Sequence, residues 1–510
     1  MLKKTFLFFI IFLAICINAN AKNITIFTTN DLHGRLKPFT YNNIKDIGGA
    51  ARRTQIFNSH PDALILDAGD YAQGTLYFKV LKENLNLQVM EFQGYDAITL
   101  GNHEFDKGLE YIKKSASSSQ IPFLSANVKF HDEELEKLIN DYIIKDINGI
   151  KVAIIGVLNS AVKATSSVNP NLYDVYDEIK TLRKVVKKVD KKSDLIIVLS
   201  HCGLEKDKKI AQAVNNIDLI VGGHSHTMIK TPIKIRKNNG QTVLISQNGE
   251  FGTVVGQWDL NVENDKIIKA NFKHIPINST LKNDNATEKI ISKYDKELGD
   301  FSATVAGYCE TPIDARRNSV KTNLTTSGAL LHSAIKYFYP DIDISANTSG
   351  GYRYGDYLPK LITNKDVEEL FPFDSYLVIM EIKGSDIKEL LETSARFLPK
   401  PAGSFLQTYG ISYTVDLKAT PKKLNPTLDK ILQKGNRISN IKINGIPLDE
   451  NKYYTLATDN FMYYGGDGYI ELKKYENVKH THFFLDKILI RYLNTNSPIE
   501  VKIKDEIFFK

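Results

Sequence analysis

Five short patterns of acidic, amide and imidazole side chains occur in order along the first half of the chain, each after a predicted buried strand. They are Asp31-Leu32-His33-Gly34, Gly69-Asp70, Gly101-Asn102-His103-Glu104, His201 and Gly223-His224-Ser225-His226. In an extended segment residues i and i+2 point the same way, which explains why one residue separates Asp31 from His33 and His224 from His226. Glycine lets the backbone turn sharply beside a ligand. The patterns therefore predict side chains that converge on one rim of a sheet.

Seven of these residues are candidate metal ligands through an oxygen or nitrogen atom: Asp31, His33, Asp70, Asn102, His201, His224 and His226. A donor set without thiolate suits borderline or hard divalent ions such as Zn, Mn, Co or Fe. Seven ligands are too many for one ion but fit two ions that share a carboxylate, and Asp70, central in the order, is the predicted bridge. Two ions about 3.5–4 Å apart can generate a bound hydroxide near neutral pH and clamp phosphoryl oxygens during in-line displacement.

A single histidine at a strand end is more often structural than metal-binding, so this prediction rests on the ordered set. Six further histidines lack the strand-end context and are predicted to be surface or structural residues: His60, His131, His274, His332, His480 and His482.

The set resembles the calcineurin-like metallophosphoesterase superfamily, whose signature runs D-x-H, G-D, G-N-H-E/D, H and G-H-x-H. The resemblance implies a four-layer α/β domain and metal ligation by the seven residues above. It also implies a catalytic role without metal ligation for His103, which stabilises the transition state or protonates the leaving oxygen. Asp106 is the predicted partner that orients His103.

Short apolar runs alternate with helical lengths through this half of the chain, which indicates buried strands of an α/β layered domain. The predicted strands are 24–28, 63–66, 97–100, 152–156, 195–199 and 219–221. Functional residues of such a domain belong at the strand ends. The segment 286–298 has apolar residues at helical spacing among Lys and Glu, and it predicts an exposed connecting helix at the domain boundary.

The second half predicts a mixed α+β domain with helices near 327–337 and 385–394. Three of its segments could hold a nucleotide: Ser349-Gly350-Gly351-Tyr352-Arg353, Leu370-Phe371-Pro372-Phe373 and Phe461-Met462-Tyr463-Tyr464-Gly465-Gly466-Asp467-Gly468-Tyr469. Glycines beside an arginine suit an anion, two loop aromatics could sandwich a base, and an aspartate can accept hydrogen bonds from sugar hydroxyls.

Together the two halves resemble the 5′-nucleotidase family, which includes bacterial periplasmic UDP-sugar hydrolases and animal ecto-5′-nucleotidases. The resemblance covers nearly all of the chain after residue 21. It implies that Phe373 and Phe461 stack on the base, that Asp467 holds the ribose and that Arg353 grips phosphate. It also implies a large rotation between the domains about the connecting helix.

The chain departs from the family pattern at two places. Thr348 stands where many members have an asparagine five residues before Arg353. The segment 315–324 follows the family's arginine-bearing helix entry only loosely, so that either Arg316 or Arg317 could contact phosphate; Arg317 is included in the predicted site.

The predicted divisions are a signal peptide at 1–21, a metallophosphoesterase domain at 22–280, a linker helix at 281–303 and a C-terminal substrate-binding domain at 304–510.

The first 21 residues predict export to a periplasm or the medium. Lys3 and Lys4 precede an apolar run, and Ala19-Asn20-Ala21 offers small residues for signal-peptidase cleavage after Ala21. The run of about 12 apolar residues is shorter than the roughly 20 that a bilayer span needs, so no stable membrane anchor is predicted. Two cysteines remain after cleavage, Cys202 and Cys309, which permit one disulfide but are predicted to be free thiols.

The composition is that of a globular protein, with 510 residues, 42% hydrophobic and 25% charged. It excludes disordered, collagen-like and disulfide-stapled chains. The net charge of +7 is spread along the chain without a basic block, which argues against a nucleic-acid partner.

The predicted function is therefore an exported, two-metal phosphohydrolase that cleaves 5′-nucleotides, with UDP-sugars or other nucleotide diphosphates as further substrates. Two alternatives keep the metal site: a 2′,3′-cyclic nucleotide phosphodiesterase and a thiosulfohydrolase-like enzyme, the latter without need of a base sandwich. A third alternative is a non-catalytic nucleotide receptor, which would bind nucleotide without turnover in any metal.

Overall fold

The computed structural model describes residues 21–41, 44–81, 84–164, 166 and 168–510. The predicted signal peptide lies outside these residues, apart from Ala21. Within the described ranges, no helix is both long enough and apolar enough to cross a membrane.

The N-terminal half alternates strands with helices. Its strands are β1 (Lys22–Thr29), β2 (Phe39–Tyr41), β3 (Ile44–Ile47), β4 (Leu64–Asp67), β5 (Ala97–Thr99), β6 (Phe123–Leu124), β7 (Val128–Phe130), β8 (Ile139–Asn140), β9 (Tyr142–Ile147), β10 (Ile150–Leu158), β11 (Tyr173–Val175), β12 (Leu195–His201), β13 (Leu219–Gly222), β14 (Ile233–Arg236), β15 (Thr242–Ser246), β16 (Val254–Glu263) and β17 (Lys266–Pro276). Its helices are α1 (Ala50–Asn58), α2 (Leu76–Val80), α3 (Leu85–Phe92), α4 (Leu109–Ser118), α5 (Glu133–Leu138), α6 (Glu178–Val189) and α7 (Leu204–Ala213).

Most of the described strands of this half form two large sheets that pack face to face, and β2-β3 and β7-β11 form two small ones. One has the order β17-β16-β1-β4-β5-β6-β8 and the other β14-β15-β13-β12-β10-β9. Apolar side chains of both sheets, such as Ile26 and Leu66 from the first and Ile197 from the second, share one core. Helices α1, α3 and α4 cover the outer face of the first sheet, and α6 and α7 cover that of the second. This is the predicted four-layer α/β arrangement, and burial on both faces explains the continuous apolar runs of its strands.

The connection between the halves is two helices, α8 (Asn285–Ser292) and α9 (Asp295–Ala303), so the prediction of one helix over 286–298 was wrong. Asp284 caps α8 by accepting a hydrogen bond from the Thr287 backbone N–H. The chain turns at Tyr294, whose N–H donates to the Ile291 carbonyl. Ile291 and Leu298 are buried in one cluster with residues of α1 and α3, and α9 also packs against the helix at residues 364–370 of the C-terminal half. Most other residues of the two helices are exposed or half-buried, so the connection contacts both halves along one buried face.

The C-terminal half is a mixed α+β domain, as predicted. Its strands are β18 (Val305–Tyr308), β19 (Ile313–Asp314), β20 (Ile344–Thr348), β21 (Tyr357–Leu358), β22 (Leu361–Thr363), β23 (Tyr376–Lys383), β24 (Leu406–Tyr409), β25 (Ile411–Val415), β26 (Lys423–Leu424), β27 (Ile431–Gln433), β28 (Ile438–Ile443), β29 (Ile446–Pro447), β30 (Tyr453–Asp459), β31 (Val478–Phe484) and β32 (Ile507–Phe509). Its helices are α10 (Arg317–Val320), α11 (Thr326–Phe338), α12 (Asn364–Leu370), α13 (Gly384–Ala395), α14 (Asn460–Tyr463) and α15 (Leu485–Asn496).

The main sheet of this half has the order β24-β20-β30-β23-β31. Helices α11 and α15 pack on one face of it, where Leu331 and Leu489 meet Leu377. Helix α13 packs on the other face together with the smaller sheet β29-β28-β25-β32. The loops that follow β20, α12 and β30 carry the three predicted substrate segments.

Cys202 and Cys309 are both free and buried, the first directly after β12 and the second directly after β18. Burial raises the pKa of the Cys309 thiol to about 11 and that of Cys202 well above its usual value. The prediction of two free thiols agrees with this structure.

Candidate metal centre and substrate cavity

The carboxyl ends of the neighbouring strands place the five sequence patterns at one edge of the paired sheets. Asp31, Asp70 and Asn102 follow β1, β4 and β5, which are adjacent parallel strands. His201 ends β12, and the segment with His224 follows β13, its parallel neighbour in the other sheet. Because parallel strands end at a common edge, patterns far apart in sequence meet there.

One group of metal-ligating atoms comes from Asp31, His33 and His226, which all lie within 4.8 Å of one another. His226 Nε2 is 3.2 Å from Asp31 Oδ1 and 3.3 Å from His33 Nε2. The three donors therefore aim at a common point.

A second group comes from Asp31, Asp70 and His201, with His201 Nε2 3.0 Å from Asp70 Oδ2. Beside it, His224 Nδ1 lies 2.9 Å from Asn102 Oδ1. Asp70 also lies within 4.8 Å of His33, so its carboxylate reaches both groups. This position fits the predicted bridge, although Asp31 belongs to two groups as well.

The imidazole tautomers leave Nε2 free to bind metal at two of these histidines. His201 Nδ1–H donates to the Ala68 carbonyl at 2.7 Å, and His226 Nδ1 lies 2.5 Å from Glu250 Oε2. His201 Nε2 is buried, and its 3.0 Å approach to Asp70 Oδ2 is an ion-pair contact without hydrogen-bond geometry. A buried ring nitrogen that makes no hydrogen bond and lies next to a carboxylate oxygen is positioned to bind a divalent ion together with that oxygen. The donor set fits the divalent metals of phosphoesterases.

The seven candidate ligands at this edge of the sheets form what we call the rim, and its backbone is strained. Five of the seven candidate ligands have positive φ: Asp31 (50°), His33 (47°), Asp70 (57°), His224 (74°) and His226 (52°). Such conformations cost non-glycine residues about 1–3 kcal/mol each and cluster at functional sites. Gly101 cannot be replaced without movement, because a Cβ there would come within 2.1 Å of Asp70 Oδ1.

Glu104 fixes the backbone beside the candidate ligand Asp70, a role that the sequence analysis did not assign. Its carboxylate accepts hydrogen bonds from the backbone N–H groups of Asp70, Ala72 and Gly101 at 3.0, 3.1 and 2.6 Å. Burial and the charge of Asp70 raise the pKa of Glu104 to about 8. The acidic residue that ends the Gly101-Asn102-His103-Glu104 pattern is the signal that could have identified this role of Glu104. No motif pointed to Glu250, the partner of His226.

His103 lies beside the candidate ligands and is paired with Asp106. His103 Nδ1 is 2.7 Å from Asp106 Oδ2, and the His103 backbone N–H donates to Asp70 Oδ1 at 2.9 Å. Burial alone would lower the pKa of His103, but the charges of Asp106 and Asp70 outweigh it and the pKa is raised. His103 is within 4.8 Å of His33 and Asp70, so it can reach a group bound at the metal centre.

A cavity of about 270 Å³ joins this rim to the C-terminal half. Asn102, His103, Asp106 and His224 line its N-terminal side. Four residues predicted from the C-terminal segments line its other side: Arg353, Phe373, Phe461 and Asp467.

The cavity wall beside Arg353 is cationic. Burial, and after it the charge of Arg317, lowers the pKa of Arg353 to about 10. The Phe373 ring stacks on His103 with centroids 5.8 Å apart, and the Arg353 guanidinium lies 5.1 Å from the centre of the same ring. Arg353 and Phe373 thus face the His103 side of the rim.

The structure separates the two candidate arginines. Arg316 is held by Asp314 at 2.9 and 2.8 Å and does not line the cavity. Arg317 is exposed and outside the cavity lining, although its charge reaches Arg353. The arrangement favours Arg317 over Arg316.

Several cavity residues were missed by the sequence analysis, among them the polar residues Lys321, Asn347 and Asp459. Asn347 Nδ2 donates to Asp459 Oδ2 at 2.7 Å in the cavity wall. These residues lie outside the short motifs, so their positions depend on how α10, β20 and β30 end.

Two family models match the chain in the order in which its halves fold. The model of calcineurin-like phosphoesterases matches residues 24–228. The model of the 5′-nucleotidase C-terminal domain matches residues 302–474. The 5′-nucleotidase of Bos taurus is 30% identical over 498 residues, which cover 90% of this chain and 85% of the bovine one. The chain belongs to the 5′-nucleotidase family.

Two further similarities agree with membership of the 5′-nucleotidase family. The trifunctional nucleotide phosphoesterase protein YfkN of Bacillus subtilis is 28% identical over 496 residues, which cover 88% of this chain but 32% of YfkN; the chain spans about a third of that protein. The crystal structure of the 5′-nucleotidase precursor from Thermus thermophilus has a TM-score of 0.78 and 27% identity, with 96% of this chain and 99% of that one covered. As a member of the family, the chain is a hydrolase of the metal-dependent phosphoesterase class.

Proposed function

We propose that this chain is an exported two-metal phosphohydrolase that removes the phosphate from 5′-nucleotides and also cleaves UDP-sugars or other nucleotide diphosphates. The cavity carries this proposal, because it joins the candidate metal centre to the aromatic and acidic residues predicted to hold a nucleoside. A phosphate at the rim and a nucleoside between Phe373 and Phe461 would lie in the same space.

The proposed metal ligands are the seven residues of the rim, with Asp70 as the bridge. The ions, of Zn, Mn, Co or Fe type, would supply the Lewis acidity that polarises phosphoryl oxygens and activates water. Asp31, buried with its carboxylate against His226, and His201, oriented by the Ala68 carbonyl, would hold their donor atoms in place. Such contacts behind the ligands fix ring orientation and tautomer.

His103 is proposed to stabilise the transition state or to protonate the leaving oxygen, with Asp106 as its orienter. The 2.7 Å contact to Asp106 fixes the ring and favours its protonated form. General acid catalysis requires a donor within hydrogen-bond reach of the leaving oxygen, and His103 lines the cavity at the rim.

The nucleoside end of the substrate is proposed to lie in the C-terminal half. Phe373 and Phe461 would stack on the base, Asp467 would accept from the ribose hydroxyls and Arg353 would grip phosphate with help from Arg317. Base stacking on aromatic rings is worth about 1–3 kcal/mol per base, which is enough to separate nucleotides from small phosphate esters.

The proposed domain division is that of the sequence analysis: 22–280 for metal chemistry, 281–303 for the connection and 304–510 for substrate. The end of α9 at Ala303 and the start of β18 at Val305 support the last boundary. Export to a periplasm or the medium rests on the pattern of residues 1–21.

The test is phosphate release by the chain without residues 1–21, measured on AMP, UMP, UDP-glucose, a 2′,3′-cyclic nucleotide and a simple aryl phosphate, with added Mn and with chelator. Chelator-sensitive turnover of 5′-nucleotides far above that of the aryl phosphate is expected. Turnover of the aryl phosphate alone would retain the metal site and refute the nucleotide assignment. Preference for the cyclic nucleotide would favour a phosphodiesterase, and absence of turnover in any metal would favour a receptor.

A further inference from the structure

Lys79 extends from the N-terminal half into the C-terminal half beside the substrate cavity. It lies on α2, and its side chain is only 6% exposed. Its Nζ donates to the Phe373 carbonyl at 3.0 Å and lies 2.8 Å from Asp374 Oδ1. The partners are 294 residues apart in sequence, so this contact exists only in the folded arrangement of both halves.

Several carboxylates of the C-terminal half surround the Lys79 ammonium. Glu368 Oε2 lies 3.6 Å and Asp486 Oδ2 3.7 Å from Lys79 Nζ, and both carboxylates are buried. Lys487 approaches the same two acids at 2.7 and 3.0 Å. Burial of an ammonium is costly unless opposite charges and hydrogen bonds compensate, and here three carboxylates and a carbonyl do so.

The backbone that Lys79 holds belongs to a predicted substrate residue. The Phe373 carbonyl accepts the hydrogen bond, while its ring stacks on His103 and lines the cavity. Lys79 therefore restrains the backbone from which the Phe373 ring extends.

The N-terminal end of the contact is fixed as well. Lys107, which directly follows Asp106, donates to the Phe78 carbonyl, and its ammonium lies 4.1 Å from the centre of the Phe78 ring. Phe78 precedes Lys79 on α2. A chain of contacts thus runs from the His103–Asp106 pair through Lys107 and α2 to Phe373.

We propose that Lys79 is a positioning residue for the nucleobase pocket: it sets the Phe373 ring relative to His103 and so gives the enzyme its preference for nucleotides over small phosphate esters. This inference rests on the proposed nucleotide substrate. Lys79 lies outside the cavity lining, so it acts through Phe373 and not by contact with substrate. A small phosphate ester has no nucleobase to stack on Phe373, so its hydrolysis is expected to depend much less on Lys79.

The experiment is a double-mutant cycle of Lys79→Met and Phe373→Ala, measured as kcat and KM on AMP and on an aryl phosphate with added Mn. Lys79→Met is expected to lower kcat/KM on AMP about 10-fold, mainly through KM, as expected for loss of one base stack. Its kcat/KM on the aryl phosphate should stay within about twofold of the wild type. In the Phe373→Ala background, Lys79→Met should have little further effect on AMP, because residues that act together are not additive.

Two variants control for folding. Lys79→Arg keeps the charge and a donor, and should restore most of the activity on AMP. Lys113→Met removes a lysine that pairs with Asp132 and Glu134 on the surface of the same half and should leave both substrates unaffected.

Equal losses of Lys79→Met on both substrates, or additive losses in the cycle, would overturn the inference, since a general loss of structure would produce them. An unchanged KM for AMP would overturn it too. The wild type alone decides the proposed function: if it does not prefer AMP to the aryl phosphate, the nucleotide assignment fails and the role of Lys79 fails with it.

Discussion

The metal rim and the substrate cavity are built in different ways. The rim draws its candidate ligands from strand ends of one half, and several are held by a further contact, such as His201 by the Ala68 carbonyl. The cavity draws its lining from both halves and from loops, and Phe373 is placed by a contact from α2 of the other half. In the proposed function the chemistry is therefore encoded within one domain, whereas substrate choice depends on how two domains meet. A substitution at the rim should affect all substrates, and one in the cavity should affect nucleotides alone.

The largest effect is expected at the bridge of the rim. Asp70→Asn removes a charge from the carboxylate that reaches both His33 and His201. Metal ions contribute several kcal/mol to stabilising phosphoryl transition states, so kcat should fall about 10³-fold or more on AMP and aryl phosphate alike. Asp62→Asn, on an exposed turn, is the matched control, and a loss confined to nucleotides would contradict the division.

A smaller loss is expected at His103, which also belongs to the rim. His103→Asn should lower kcat about 10²-fold on AMP, because it removes a general acid or a transition-state donor. An aryl phosphate with an acidic leaving group needs less protonation and should lose less. The exposed pair of His131 with Asp174 provides the control His131→Asn. Equal losses on leaving groups of every pKa would limit His103 to transition-state stabilisation.

The cavity side of the comparison is tested by Phe373→Ala. Loss of one stacking face should lower kcat/KM for nucleotides about 10-fold, within the range of about 1–3 kcal/mol per stacked base. Hydrolysis of an aryl phosphate should change less than about twofold. Phe509→Ala serves as the control, because Phe509 is an exposed aromatic residue on β32 near the C-terminal end of the chain. A matching loss on the aryl phosphate would show that Phe373 supports His103 and not the base.

The smallest effect on activity is expected at Glu250, which lies behind His226. Glu250→Gln should weaken metal affinity about 10- to 100-fold, as for other carboxylates behind a ligating histidine. Titration of the metal-free protein with Mn, followed by activity, should give a shifted midpoint and a nearly unchanged plateau. Glu205→Gln, at a largely exposed position, should titrate like the wild type. A lowered plateau at saturating Mn would indicate a direct role for Glu250 in the reaction.

The sequence could predict the rim because its information is local. Asp31-x-His33 and His224-x-His226 combine a strand period with a strand end, and parallel strands must finish at one edge. The four-layer fold follows from the same apolar runs, which are buried on both faces. The residues behind the ligands were harder to predict: Glu250 meets His226 through a loop without a motif, although Glu104 stood in a visible acidic position.

Contacts between the halves left no local signal. Lys79 resembles any other surface lysine in sequence, and its partner Phe373 lies in another domain. The break between α8 and α9 was missed because the apolar spacing from Ile290 to Leu298 continues through the turn at Tyr294. Periodicity records which face of a helix is buried, but not whether the helix is continuous.

The two buried thiols have a practical consequence for measuring the distance between the halves in solution. Cys202 and Cys309 lie one in each half, both inaccessible and both with raised pKa. The thiolate is the form that attacks a maleimide dye, so the chain without residues 1–21, which lacks Cys16, should react slowly with such dyes. Single cysteines introduced on exposed positions of each half would then carry a donor and an acceptor dye without background labelling, and the protein would need no prior removal of its own cysteines.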